Sequence, residues 1–175
     1  MPLSSLSSST YKPGTIVQLK LKNFLTYTSC VITPGPRLNI VIGPNGSGKS
    51  SILCALCLGL GGTPSLLGRA DDVREFIANE HDTGYVEVTL KGHPGMRDDV
   101  IKRTLVRSDK GSARSLHGSF TVNGSSATQK QVSEMVQEKY KISVHNLLSF
   151  LPQDKVRREA KRSGTTCDLR SSNTQ

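Results

Sequence analysis

Apolar and polar residues alternate from Thr15 onward, where Ile16, Val17, Leu19 and Leu21 sit in a run that reads as a strand. A shorter apolar piece, Cys30 to Ile32, stops at the turn-forming run Thr33-Pro34-Gly35-Pro36. Leu38-Asn39-Ile40-Val41-Ile42 follows, and its mostly apolar, β-branched character predicts a strand buried on both faces. After a glycine-rich loop, Ile52-Leu53-Cys54-Ala55-Leu56-Cys57-Leu58 is apolar nearly all round and runs into Gly61-Gly62, a helix stop. The pattern then predicts a short helix over Asp72 to Asn79 and strands over Tyr85 to Lys91 and Val100 to Arg107, joined by Gly92-His93-Pro94-Gly95. Phe120-Thr121-Val122 leads into Asn123-Gly124, a tight-turn signal. The cleanest helix is Thr128 to Tyr140. Thr128 and Gln131 form a capping box, and Val132, Met135, Val136 and Tyr140 share one face. A last apolar cluster, Leu147, Leu148, Phe150 and Leu151, precedes Pro152-Gln153.

The two ends lack such periodicity. Residues 1–14 are rich in Ser, Pro and Gly and read as a flexible tail, residues 15–153 as the folded unit, and residues 154–175, basic and then polar, as a divergent tail expected to be disordered. Over all 175 residues the hydrophobic share is 35% with no Trp, low enough that part of the chain is disordered or part of its core comes from elsewhere. No run of about 18 apolar residues exists, which excludes a transmembrane helix. The first ten residues lack the basic and apolar regions of a secretory signal.

Cysteines at 30, 54, 57 and 167 are too scattered for a disulfide scaffold and point to a reducing cytosolic or nuclear setting. Cys54 and Cys57 form a C-x-x-C inside an apolar helix, which reads as two buried thiols ahead of a zinc or redox site. A net charge of +9 permits a nucleic-acid partner without establishing one. Lys102, Arg103, Arg107, Lys110 and Arg114 concentrate positive charge, as a solvated basic face or, less favoured, a DNA-backbone contact. The basic run Lys155 to Arg162 has the composition of a nuclear-import patch, without further support.

One motif carries specific chemistry. Gly43-Pro44-Asn45-Gly46-Ser47-Gly48-Lys49-Ser50 matches G-x-x-x-x-G-K-[ST] at every fixed position, with an apolar run before it and a helical pattern after it. Glycines let the backbone curl so that successive N–H groups face phosphate oxygens. The helix that follows adds the positive end of its dipole. In such loops the lysine, here Lys49, reaches the β- and γ-phosphates, and the hydroxyl, here Ser50, ligates Mg²⁺. The guanine-specifying N-K-x-D of small GTPases does not occur.

With that loop in place, three pieces resemble the N-terminal half of the ATPase head of the structural maintenance of chromosomes (SMC) family. They are Asn23-Phe24-Leu25-Thr26-Tyr27, the loop with Ser51 added, and Phe150-Leu151-Pro152-Gln153-Asp154-Lys155-Val156. Leu58-Gly59-Leu60-Gly61-Gly62-Thr63-Pro64 and Leu67-Gly68-Arg69-Ala70 resemble the fifth-type branch in particular. The resemblance spans Thr15 to about Val156 and implies an α/β P-loop NTPase fold of the ABC type (SMC/Rad50-like), represented by its N-terminal half. It implies ATP and Mg²⁺ as cofactors, held by Gly43, Pro44, Asn45, Gly46, Ser47, Gly48, Lys49, Ser50 and Ser51. Gln153 matches the glutamine that contacts the metal and the attacking water. Arg69 matches an arginine near nucleotide and DNA at the interface of two closed heads. Asn23 to Tyr27 would lie beside adenine and ribose. The same resemblance implies a sixth-type SMC partner, DNA, a nuclear and chromosomal location without membrane attachment, and a role in double-strand break repair, recombination and chromosome maintenance. A Rad50-like repair ATPase is the alternative, disfavoured by the Gly-Gly-Thr-Pro and Gly-Arg-Ala pieces.

The sequence also departs from the family. Neither Leu-Ser-Gly-Gly nor an apolar run ending in Asp-Glu occurs, and no heptad pattern follows Gln153. After Val156 the text resembles a truncated or splice-variant product. The expectation is a chain that does not hydrolyse ATP alone, or one with no activity of its own.

Overall fold

The computed structural model describes residues 11–67, 72–107 and 118–144. Alternation builds its sheet. In β1 (Ile16–Phe24) Leu19, Leu21 and Phe24 are buried and Lys22 is exposed. In β3 (Thr83–Leu90) Val86, Val88 and Leu90 turn to the same side, and in β4 (Asp99–Val106) Ile101, Arg103 and Leu105 do. With β2 (Tyr27–Ile32), β5 (Ser119–Val122) and β6 (Ser125–Ala127) these form a six-stranded sheet in the order β2-β1-β3-β4-β5-β6. Every neighbouring pair is antiparallel. One inner row reads Leu21, Val86, Arg103, Phe120 across four strands, and the neighbouring outer row reads Lys20, Glu87, Lys102, Thr121. On that outer face Lys20 Nζ meets Glu87 Oε1 at 2.9 Å.

The apolar helix expected after the glycine loop is α1 (Lys49–Gly59). It lies on the inner face, with Cys54, Ala55, Cys57 and Leu58 buried. The contact is close because position 59 has no side chain. A Cβ there would sit 2.7 Å from Val88 Cγ2 and 2.9 Å from Val86 Cγ1. α2 (Gln129–Tyr140) follows β6 and buries Val132 and Val136. The capping box forms as expected: Thr128 Oγ1 accepts from Gln131 N at 3.2 Å, and Gln131 Oε1 accepts from Thr128 N at 2.8 Å. Replacing Thr128 by alanine removes one partner for the orphan first-turn amides. Urea denaturation should then show a loss of about 0.5–2 kcal/mol, with Thr128→Ser largely restored. An unchanged midpoint in Thr128→Ala would show that the box does not hold the helix.

Charge is buried in two places that sequence pattern did not reveal. The Arg103 guanidinium is fully buried, and its Nη1 donates to Leu58 O at 3.1 Å and Gly62 O at 2.9 Å. It therefore satisfies carbonyls at the C-terminal end of α1, the negative pole of that helix, while lying over the Phe120 ring at 4.7 Å. Burial pulls its pKa down to about 10, which leaves it a cation at neutral pH. Asp99 is the second. It accepts from Lys139 Nζ at 2.5 Å, Tyr140 OH at 2.6 Å and Asn123 Nδ2 at 2.9 Å. Burial pushes its carboxyl up, but those hydrogen bonds outweigh burial and hold it below the usual range.

Two expectations fail. Residues 38–42 form no strand. Leu38, Ile40, Val41 and Ile42 are 86%, 71%, 54% and 87% exposed, and no described strand pairs with this segment. An apolar run states that a surface is fit to be covered, and here no described residue covers it. The predicted helix over Asp72 to Asn79 is a single 3₁₀ turn (Val73–Phe76) capped by Asp72, whose side chain accepts from Arg74 N at 2.8 Å. β2 also starts three residues earlier than predicted, because Tyr27 pairs with Phe24 across the two-residue turn Leu25-Thr26. Its polar Thr28 and Ser29 sit on an edge strand and hide the alternation.

Candidate nucleotide site

The loop from Gly43 to Ser50 links the exposed 38–42 segment to α1. Gly46 and Gly48 have φ of +84° and +91°, the left-handed region where glycine carries no steric cost. At Gly46 a Cβ would meet nothing within 4 Å, so the left-handed backbone and not lack of room calls for glycine there. At Gly48 a Cβ would lie 2.8 Å from Tyr27 Oη and 2.9 Å from Thr26 Oγ1. The β1–β2 turn thus packs directly on the loop, and Tyr27 OH reaches Gly48 O at 3.4 Å. No side chain caps the start of α1 and no acid stands in its first turn, so the positive pole of the helix is unopposed there. Gly48 O instead accepts from Ser51 N at 2.9 Å and Ile52 N at 3.3 Å. The Lys49 ammonium folds over the loop and donates to Gly43 O at 2.7 Å and Pro44 O at 2.5 Å.

These groups open onto a cleft of about 480 Å³. One side is Asn45, Gly46, Gly48, Lys49, Ser50 and Ser51 from the loop and helix. The other is Leu25 and Thr26 from the β1–β2 turn and Glu75, Ile77, Ala78 and Asn79 from the segment before β3. Of the five residues Asn23 to Tyr27, Leu25 and Thr26 line the cleft. Phe24 is core, stacked on Phe76 at 6.0 Å. Asn23, at φ +48°, donates from Nδ2 to Thr83 O at 3.0 Å. The Glu75 to Asn79 part of that wall was not foreseen as part of a site. It is placed by long-range backbone bonds, Leu25 N to Phe76 O at 2.8 Å and Ala78 N to Asn23 O at 3.0 Å, for which local sequence holds no signal.

Arg69 and Gln153 lie outside the described residues. The basic stretch from Lys102 to Arg114 is not one face where it is described. Strand parity sends Lys102 outward, 4.2 Å over the Tyr85 ring, and Arg103 inward. Cys54 and Cys57 are buried in α1, and no His/Cys/Asp/Glu cluster fit for a metal exists among the described residues. No described helix is long and apolar enough to cross a membrane.

A cation, an uncapped helix N-terminus, a hydroxyl at Ser50 and two left-handed glycines converge on one open cleft, a donor set that fits a polyphosphate. Residues 18–172 match the AAA domain family. The chain is 42% identical over 155 residues to structural maintenance of chromosomes protein 5 of Arabidopsis thaliana, covering 89% of this chain and 14% of that protein. It is 41% identical over 150 residues to the protein of the same name from Schizosaccharomyces pombe, covering 85% of this chain and 13% of that protein. The chain thus spans 13–14% of the length of these curated relatives. Among solved structures, one from work on ATP-driven dimerization and DNA-stimulated activation of SMC ATPases superposes with a TM-score of 0.68 at 23% identity, over 83% of this chain and 90% of that one. Their folds agree. The chain belongs to the AAA domain family and to the fifth-type branch of the structural maintenance of chromosomes family, as a portion of its P-loop ATPase head.

Proposed function

We propose that this chain binds ATP with Mg²⁺ through Gly43 to Ser51, as the N-terminal half of an SMC-type head. The observation that carries the proposal is the convergence of Lys49, the uncapped start of α1 and the left-handed Gly46 and Gly48 on one cleft. Lys49 would neutralise β- and γ-phosphate charge and the first-turn amides would hold phosphate oxygens. Ser50, and by resemblance Gln153, would ligate the metal, which supplies further charge neutralisation. Arg69 belongs by resemblance to the interface with a second head.

A second surface supports a half-head. Ile40, Val41 and Ile42 border an apolar groove of about 670 Å³ whose other walls include Ile16, Leu19, Ile32, Ile52 and Leu56. That groove is where the C-terminal half of the head, with its own strands, would dock and complete the core. The low apolar share of the sequence has the same explanation. In the parent protein the completed head would pair with a sixth-type SMC partner and act on DNA in repair, recombination and chromosome maintenance in the nucleus, as the resemblance implies. The competing reading, a product with no activity of its own, is favoured by the same uncovered groove.

Calorimetric titration with ATP and Mg²⁺ separates the two. Saturable binding is expected, with a matching upward shift in melting temperature, since a ligand that binds only the folded state stabilises it. A chain that melts cooperatively but takes up no ATP would refute nucleotide binding by the isolated half.

A further inference from the structure

We propose that Arg107 is a positioning residue for the nucleoside end of the cleft, an inference that rests on the nucleotide reading above. A polyphosphate seated on Gly46, Lys49 and Ser50 leaves base and sugar one place to go. The rest of the cleft wall comes from Leu25 and Thr26 and from the segment carrying Ile77 and Asn79. That segment is a 3₁₀ turn followed by irregular backbone, which has little order of its own. It is tied on one side to β1, through the Phe24–Ile77 bridge and the bond from Ala78 N to Asn23 O. On the other side stands Arg107, just past the end of β4. Its Nη1 donates to Asn79 O at 3.0 Å and its Nη2 to Ile77 O at 3.1 Å. Its own amide donates to Asp82 O at 2.7 Å, which closes the same stretch of backbone.

The planar fork of an arginine suits two carbonyls two positions apart in the chain. An ammonium is a point donor and cannot hold both carbonyls in one geometry. Arg107 therefore fixes the wall that base and sugar must meet. A preorganised wall removes an ordering cost from binding. The guanidinium binds the outer side of the backbone through carbonyls, so its effect on the ligand passes through Ile77 and Asn79.

A structural staple, a long-range charge and a positioning residue predict different results with two ligands. The probes are ATP and inorganic tripolyphosphate, each with Mg²⁺, titrated against the full chain and its Arg107→Ala, Arg107→Lys and Lys49→Ala variants. Arg107→Ala is expected to raise the Kd for ATP about tenfold, the size of a lost preorganisation effect, and to change tripolyphosphate by less than about twofold. Arg107→Lys keeps the charge and the fold while losing the fork, so it should also weaken ATP selectively, by less than alanine does. If Arg107→Ala does not fold, Arg107→Lys carries the test alone. Lys49→Ala should weaken both ligands. Equal weakening of ATP and tripolyphosphate in the Arg107 variants would mean a charge or a global effect and overturns the proposal. So does an ATP affinity that Arg107→Ala leaves unchanged while Lys49→Ala still loses it. Failure of the wild-type chain to bind either ligand overturns the nucleotide reading and this inference together.

Discussion

Lys49→Ala should raise the Kd for ATP about 10- to 150-fold, the equivalent of one lost charge-assisted hydrogen bond of about 1.5–3 kcal/mol. The magnitude follows from where the ammonium sits. It already reaches across the loop to the carbonyls of Gly43 and Pro44, so its Nζ lies at the mouth of the curl and need not reorganise far to meet a phosphate. Removing it leaves the helix pole and the glycine backbone in place, which is why binding should weaken without vanishing. The side chain's hydrogen bonds are exposed ones to two loop carbonyls, so the fold should survive. Lys49→Ala must therefore match wild type in urea denaturation while losing affinity. A folded variant with unchanged affinity would remove Gly43 to Ser50 from the site.

The parts of this molecule that sequence discloses are those whose physics is local. Alternation in β3 and β4 names their inward residues because strand geometry has period two, and Thr128 with Gln131 announces α2 because a capping box spans four residues. The glycine loop is legible for a related reason: backbone that curls through the left-handed region demands glycine, as at Gly46 and Gly48. What escaped is set by distant contacts. Nothing near Ile77 or Asn79 says that they form a cleft wall, since Asn23 and Arg107 put them there. Arg103 is written as a surface charge, and only its parity on β4 and the carbonyls of Leu58 and Gly62 make it core. Residues 38–42 misled in the opposite direction. Their composition is that of a buried strand, but burial of a strand needs neighbours to pair with, and no described strand pairs with them.

The largest expected effect concerns turnover. Phosphoryl transfer needs little covalent help from a protein and depends on positioning and charge neutralisation from several sides. The described site supplies one side: Lys49, the α1 amides and Ser50. The sequence contains no Leu-Ser-Gly-Gly to face the γ-phosphate and no apolar run ending in Asp-Glu to hold the metal and polarise water. Each such electrostatic contact is worth roughly 10²–10³ in rate where donors of this kind have been removed. Two missing contacts put turnover about 10⁴-fold down if independent, an upper treatment because groups acting as a unit do not add. The purified chain should therefore bind ATP and release no measurable phosphate. Turnover should appear when a separately supplied C-terminal head half bearing both motifs is added with a partner head. The groove at Ile40, Val41 and Ile42 gives an independent handle on that rescue. A charge there, as in Val41→Asp, should abolish complementation while leaving ATP binding by the isolated chain within about twofold, since no residue of that groove lines the cleft. The assay is phosphate release with and without the second half, with Lys49→Ala controlling for contaminating ATPases. Phosphate release by the isolated chain that disappears in Lys49→Ala would show that the missing motifs are not needed, and the chain would then be a complete ATPase of another kind.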